Sequence, residues 1–162
     1  MSSEPPALES RASFLVSQLG LQSAQAFTAA LAPLGLTPNR YGILVHVARQ
    51  EGRTQQELAT ALGLHRNSMV TLIDDLEQRG LVERRRHPDD RRAYAIHLTP
   101  AARDVVSAAT RLADDQEEAM LGRLSPDDRA TLLAILTRMV AGGGYQPGVH
   151  PGLGQHGQES PQ

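Results

Sequence analysis

Apolar side chains recur at intervals of three and four residues along most of the chain, which is the spacing of one face of an α-helix. The first such stripe precedes Gly35 and consists of Phe14, Leu15, Leu19, Phe27, Leu31 and Leu34. Thr37-Pro38, Thr99-Pro100 and Ser125-Pro126 then each combine an N-cap residue with a first-turn proline. These pairs predict three further helices, of which the last two extend for about 22 and 16 residues.

The segment after residue 53 predicts two helices joined by a tight turn. Thr54 and Glu57 have the spacing of a capping box, in which each side chain accepts a hydrogen bond from the other residue's backbone amide. Gly63 supplies the permissive backbone that the turn needs. The second helix, from His65 to Arg79, has an apolar stripe formed by Met69, Val70, Ile73 and Leu76.

A hairpin is predicted after Gly80, a C-cap glycine that ends the second of these helices. Leu81 and Val82 begin an extended run, and residues 87–90 supply turn chemistry. The return strand is indicated by alternating positions at Tyr94, Ile96 and Leu98. The whole pattern predicts a mainly α fold with a small β-hairpin, in which a helix-turn-helix is followed by a wing.

A family resemblance covers the segment LATALGLHRNSMVTLIDDLEQRGLVERRRHPDDRRAYAIHLTP. It resembles the core of the MarR (multiple antibiotic resistance regulator) family of transcription factors. The resemblance is carried by L-E-x-R-G-L-V at Leu76–Val82, by D-x-R at Asp90 and Arg92, and by L-T-P at Leu98–Pro100. It extends more weakly over residues 10–141. It implies a homodimer that binds pseudo-palindromic operator DNA, usually as a repressor that a small ligand or an oxidant releases.

The domain organisation follows from the same pattern. The outer helices carry more apolar positions than a small wing domain could cover, which predicts a dimer interface, whereas the glycines and prolines of the tail predict disorder. The expected divisions are a disordered N-terminus at 1–9, a DNA-binding core at 37–99, dimerisation helices at 10–34 and 100–141, and a disordered tail at 142–162.

Composition excludes several classes of protein. The 162 residues suit one domain, and the absence of cysteine excludes disulfides and cysteine-based oxidant sensing. The first ten residues, MSSEPPALES, lack the basic and apolar regions of a signal peptide, and apolar runs are short. A cytoplasmic protein without a membrane partner is therefore expected.

The net charge of −2 gives no sign of DNA binding by itself, but positive charge is concentrated locally. Residues 84–92 contain five Arg and two Asp, a local balance of +3. Because the electrostatic field depends on how charge is distributed, this segment is expected to orient the wing toward double-stranded DNA.

Four polar residues begin the second helix of the helix-turn-helix: Arg66, Asn67, Ser68 and Thr71. This is the part of such a helix that contacts base edges in the major groove. Arg can bind guanine at two acceptors and Asn can bind adenine at a donor and an acceptor, so Arg66 and Asn67 are the predicted base readers. Ser68 and Thr71 are expected to contact phosphate, while the alternative is an exposed face that is merely solvated.

The wing supplies the remaining candidates. By the family resemblance, Arg92 lies at the wing tip, is held by Asp90 and enters the minor groove, whose electronegative potential attracts inserted arginines. The alternative for Arg92 is an ordinary surface ion pair. Four further arginines could contact phosphate, but alternate strand residues face opposite ways, so about two of them are expected to do so: Arg84, Arg85, Arg86 and Arg91.

The chain departs from the family pattern in the same helix. His65 stands where a better N-cap residue is common, and Leu72 and Asp75 occupy positions that often carry Arg. Asp74, Asp75 and Glu77 make the middle of the helix acidic. Asp75 at least must therefore be kept away from phosphates, and the wing is expected to carry more of the binding.

Other functions have weaker support in the residues. The resemblance suggests a small aromatic or phenolic ligand, for which Arg40, Tyr41 and His46 could supply charge, stacking and a hydrogen bond, although Tyr41 could equally be core. A metal-responsive regulator is the alternative, yet the six histidines are scattered and predict no metal site or cofactor. No catalytic motif predicts an enzyme. A winged-helix module that binds another protein stays open, because folds are shared across functions.

Overall fold

The computed structural model describes residues 7–145 and 148–150. They form six α-helices, two single-turn 3-10 helices and a two-stranded antiparallel sheet, which confirms the predicted fold class. The helices are α1 (Ala12–Leu31), α2 (Pro38–Arg49), α3 (Gln55–Leu62), α4 (Arg66–Gln78), α5 (Pro100–Leu121) and α6 (Pro126–Gly142). The strands are β1 (Val82–Arg86) and β2 (Tyr94–Leu98), and the 3-10 turns are Leu8–Ser10 and Ala32–Leu34.

Three helices begin where the Thr-Pro and Ser-Pro pairs predicted. Thr37 Oγ1 accepts a hydrogen bond from the Arg40 amide, 3.3 Å away, at the start of α2. Thr99 and Ser125 do the same for α5 and α6, where the amides lie at 3.1 and 3.2 Å. Each cap satisfies a backbone donor that has no partner within its own helix.

The helix-turn-helix is built from α3 and α4. The capping box of α3 is present, because Thr54 Oγ1 accepts from the Glu57 amide at 3.2 Å and Glu57 Oε2 accepts from the Thr54 amide at 2.7 Å. Gly63 ends α3 with φ of 63°, a left-handed conformation that costs glycine little. The chain then enters α4 after only two more residues, so the angle between the two helices is set locally.

The hairpin packs against this unit. Val82 pairs with Leu98 and Arg86 with Tyr94, and a further bridge joins Ala95 to Thr54 at the start of α3. Ala95, Ile96 and Leu98 are buried, so β2 anchors the wing to the core, while the outer end of β1 is exposed.

The core lies between the end of α1, helices α2 to α4, the hairpin and the first half of α5. Its fully buried members include Leu31, Ile43, Leu44, Leu58, Met69, Ile73, Leu76 and Ile96. Helix α6 has no buried residue. Large apolar side chains are exposed on α1 and α6, among them Leu15, Val16, Leu19, Leu133, Ile135, Met139 and Val140.

Parts of the two segments predicted to be disordered, residues 1–6, 146–147 and 151–162, lie outside the described residues. The described parts include the 3-10 turn at Leu8–Ser10 and the end of α6 at Gly142. Val149 is half-buried against the core, and the Gly148 carbonyl lies 3.2 Å from Nε2 of His46. In the described ranges no helix is both long and apolar enough to cross a membrane.

Candidate nucleic-acid interface

The N-terminal end of α4 presents the predicted base-reading residues to solvent. Arg66, Asn67 and Thr71 are exposed and Ser68 is half-buried, while Met69, Ile73 and Leu76 fix the opposite face in the core. The Thr71 hydroxyl donates to the Asn67 carbonyl at 3.2 Å. His65 provides no side-chain cap, so the first amides of α4 stay uncapped by it.

The tip of the wing is a tight loop between the strands. The His87 amide donates to the Ala93 carbonyl and the Ala93 amide to the Asp90 carbonyl, both at 3.1 Å. Asp90 Oδ1 accepts from the Arg92 backbone amide at 2.8 Å. Within residues 7–145 and 148–150 the guanidinium groups of Arg91 and Arg92 have no hydrogen bond or ion pair and are exposed.

Two other wing arginines have partners on the hairpin. Arg85 Nε donates to Glu83 Oε1 at 2.9 Å. Arg86 donates through Nη1 to the Arg91 carbonyl at 2.9 Å, and its guanidinium carbon lies 5.3 Å from the centroid of the Tyr94 ring. Both side chains belong to exposed residues, so these contacts shape the wing while keeping the charges at the surface.

Arg84 is one of the four wing arginines of which about two were expected to contact phosphate, and the structure turns it toward α4. Its guanidinium is paired with Asp74 and Glu77 of α4, and its side chain is only 21% exposed. The reason is strand alternation, because Arg84 and Arg85 point to opposite faces and the face of Arg84 meets α4. Sequence reasoning noted the acidic middle of α4 but did not assign its counter-charges.

Asp75 is held by two arginines, one of them 35 residues away in sequence. Oδ2 accepts from Arg40 Nε at 2.7 Å and Oδ1 from Arg40 Nη2 at 3.3 Å, while Arg79 Nε lies 2.9 Å from Oδ1. Burial raises the pKa of Asp75, but the hydrogen bonds from Arg40 and Arg79 outweigh it and hold the pKa below its ordinary value of 3.8. The expected repulsion between Asp75 and phosphate is thereby reduced.

The three residues predicted to line a ligand pocket are not brought together. Arg40 contacts Asp75, and the Tyr41 hydroxyl lies 3.3 Å from Oγ1 of Thr110 on α5, with the Tyr41 ring edge-on to Phe27 at 5.5 Å. His46 lies against Gly148. A helix turns by about 100° per residue, so positions 40, 41 and 46 of α2 point in three directions. In the part of the chain that the structure describes, no group of three His, Asp or Glu residues could hold a metal ion.

A helix-turn-helix beside an arginine-bearing wing defines a winged helix-turn-helix of the DNA-binding class. The sequence model of the MarR family matches residues 34–93. A transcriptional regulatory protein proposed for the hcr operon of Thauera aromatica is 35% identical over 105 residues, which span 65% of this chain and 63% of that protein.

Solved structures extend the similarity over most of the chain. The transcriptional repressor CouR bound to a 23-mer DNA duplex is 33% identical, with a TM-score of 0.71 over 85% of this chain and 99% of that one. CouR from Rhodococcus jostii RHA1 bound to p-coumaroyl-CoA is 32% identical, with a TM-score of 0.69 over 85% of this chain and 96% of that one. A MarR family regulator from Rhodococcus sp. RHA1 is 30% identical, with a TM-score of 0.67 over 83% and 96% of the two chains.

The chain belongs to the MarR family of transcriptional regulators. Its fold is that of a DNA-binding regulator, and the relatives named above are regulators, not enzymes.

Proposed function

We propose that the protein is a homodimeric repressor that inserts α4 into the major groove and the wing into the adjacent minor groove of a pseudo-palindromic operator. The observation that carries this proposal is the distribution of unpaired charge. Among the described residues, the guanidinium groups of Arg66, Arg91 and Arg92 have no hydrogen bond or ion pair, whereas Asp74, Asp75 and Glu77 of α4 are all paired with arginine. The surface left for phosphates and bases is therefore positive although the chain is acidic overall.

The individual residues take different roles in this arrangement. Arg66 and Asn67 read bases in the major groove, while Ser68 and Thr71 contact phosphate from the next part of the helix. Arg92 enters the minor groove from the wing tip, and Arg91 neutralises phosphate beside it. Arg85 and Arg86 are exposed and lie at the edge of this surface.

Dimerisation is supported by the apolar faces that one chain leaves uncovered. On α6, Leu132, Ile135, Leu136, Met139 and Val140 fall within one arc of about 140°, because successive residues are about 100° apart around the helix axis. With the exposed apolar residues of α1, this arc makes a surface that a second copy would cover. Two α4 helices related by a two-fold axis would then lie about 34–36 Å apart along the duplex.

Repression and its release are proposed from the similarity to CouR. That protein is a transcriptional repressor, and it has been crystallised with DNA and with p-coumaroyl-CoA. We therefore assign this chain to the cytoplasm, where it would meet chromosomal DNA, and assign its effector to the aromatic acids or their coenzyme A thioesters. Arg40 is already engaged by Asp75, so the effector site is not built around that guanidinium.

The test begins with selection of duplexes from a randomised library by the wild-type protein. We expect a pseudo-palindromic sequence to be enriched, and footprinting should show protection on one face of that duplex. When this sequence is placed in a promoter, the protein should repress a reporter gene. p-Coumaroyl-CoA, p-coumarate and coenzyme A are then titrated separately against that complex, and release by an aromatic compound but not by coenzyme A supports the effector class. Failure to enrich any duplex would overturn the proposal and favour the protein-binding module.

A further inference from the structure

Two arginines outside α4 are joined to its carboxylates, one from each side of the helix. Arg40 on α2 binds Asp75 through two nitrogens, at 2.7 and 3.3 Å, and Arg84 on β1 binds both Asp74 and Glu77. We name Arg40, Asp74, Asp75, Glu77 and Arg84 the α4 ion-pair network. It connects the helix proposed to enter the major groove with α2 behind it and with the strand that leads to the wing.

The geometry and burial of this network set it apart from ordinary surface pairs. The side chains of Arg40 and Arg84 are 24% and 21% exposed, whereas that of Arg85, paired with Glu83 on the same hairpin, is 58% exposed. A two-pronged contact between a planar guanidinium and a carboxylate fixes direction as well as distance, which a single point contact does not. Ordinary exposed pairs contribute little because their side chains stay mobile in water.

We propose that Arg40 and Arg84 are positioning residues, which set the angle of α4 relative to α2 and the wing and thereby decide operator affinity without touching DNA. This inference rests on the proposed function. Apolar packing of Met69, Ile73 and Leu76 holds α4 in the core, but apolar contacts are not directional. The network supplies the direction, on the sides of the helix that flank its buried face.

One substitution changes DNA affinity in opposite directions under the two explanations, positioning of α4 and simple charge compensation. Asp75→Asn removes a negative charge from a helix that approaches phosphates. Charge compensation alone predicts tighter binding by this variant, because one repulsive group is gone. Positioning predicts weaker binding to the selected operator, by about tenfold, which corresponds to a change near 1.4 kcal/mol.

The experiment uses the full-length protein and the duplex that the wild type selects from a randomised library. Fluorescence anisotropy is measured over a salt series for Asp75→Asn, Arg40→Lys and the double variant. Arg40→Lys keeps the charge but loses the planar fork, so we expect about tenfold weaker binding with an unchanged salt slope. The double variant should be little worse than either single one, since the two residues act as a pair.

Matched controls distinguish the expected loss of DNA affinity from a loss of folded protein and from the effect of replacing any nearby arginine. Arg49→Lys, on an exposed residue of α2 that has no ion pair to a described residue, should bind as the wild type does. Arg84→Lys should weaken binding in the same way, and Arg49→Lys serves as its control as well. Stoichiometric titration gives the active fraction of each variant, and affinities are compared for that fraction only.

The outcomes distinguish failure of the positioning role from failure of the proposed function. Equal or tighter binding by Asp75→Asn, or additive losses in the double variant, would overturn the positioning role. In that case the wild type still binds its duplex, and the proposed function stands. If the wild type selects no duplex, the proposed function and the positioning role fail together.

Discussion

Asp90 Oδ1 accepts a hydrogen bond from the backbone amide of Arg92 at 2.8 Å. The carboxylate therefore shapes the wing turn and leaves the guanidinium of Arg92 without a partner in residues 7–145 and 148–150. With one residue between them, the Asp90 side chain can reach the backbone amide of Arg92. It fixes the backbone that carries Arg92 while the side chain stays available for a minor groove.

Base recognition by α4 can be tested with Arg66→Ala and Asn67→Ala. Each should cost about 1–3 kcal/mol against the selected operator and relax the preference at one base-pair position, because a two-acceptor or donor-acceptor contact is lost. Gln78→Ala, on an exposed residue at the other end of the same helix, is the control and should leave specificity unchanged. Selection repeated with each variant measures the base preference at every position of the operator. A uniform loss of affinity over all operator sequences would instead mean that the two residues contact phosphate.

Dimerisation through α6 can be tested with Met139→Glu. Met139 is 57% exposed in the single chain and lies within the apolar arc, so a charge there should be buried without a partner in the dimer and raise the dissociation constant about tenfold or more. Ala134→Glu, on the exposed side of α6 opposite the arc, should have little effect. Sedimentation equilibrium measures both, and an unchanged dimer in Met139→Glu would remove α6 from the interface.

The capping box of α3 should contribute to stability independently of DNA. Thr54→Ala removes the acceptor for the Glu57 amide and should lower the free energy of unfolding by about 1 kcal/mol. Thr60→Ala is the matched control on the same helix, where the hydroxyl only donates to the Gln56 carbonyl. Urea unfolding should leave that control within about 0.5 kcal/mol of the wild type. Equal losses in both variants would show that the cap has no special role.

Stability should depend on pH through Asp75, whose pKa is lowered from 3.8 by Arg40 and Arg79 despite the opposing effect of burial. A lowered pKa in the folded state stabilises the fold at pH values above 3.8, and this contribution is lost as the pH falls through the lowered value. Asp75→Asn should therefore be less stable than the wild type at pH 7, with a difference that shrinks below 3.8. Urea unfolding at several pH values measures it. A difference independent of pH would contradict the ion-pair origin, and Asp104→Asn on an exposed part of α5 is the control.

The sequence predicted what is encoded locally. The starts of α2, α5 and α6 were predicted from a Thr or Ser followed by proline, and the structure confirms them because a cap depends on neighbours only three residues away. The capping box at Thr54 and the turn at Gly63 are equally local. Periodicity then separated helices from strands, since the two have different repeats.

The parts of the site that sequence reasoning missed depend on residues far apart in the chain. Arg40 and Asp75 are separated by 35 positions, and Arg84 and Asp74 by ten, so no local pattern joins them. Three carboxylates in one helix that is proposed to face DNA were the available signal, because such charges need nearby cations. Arg40, Tyr41 and His46 are separated for a simpler reason, since closeness in sequence on α2 does not place three residues on one face of the helix.

Operator binding by the free arginine of the wing tip is tested most directly by fluorescence anisotropy of the wild type and Arg92→Ala over a salt series. Arg49→Ala is the control, because Arg49 is exposed on α2 and lies outside the proposed DNA surface. We predict that the wild type prefers its selected duplex to a scrambled one. Arg92→Ala should lose about tenfold in affinity and reduce the salt slope by about one, while Arg49→Ala changes little. Equal binding of selected and scrambled DNA by the wild type, with no effect of Arg92→Ala, would contradict the account.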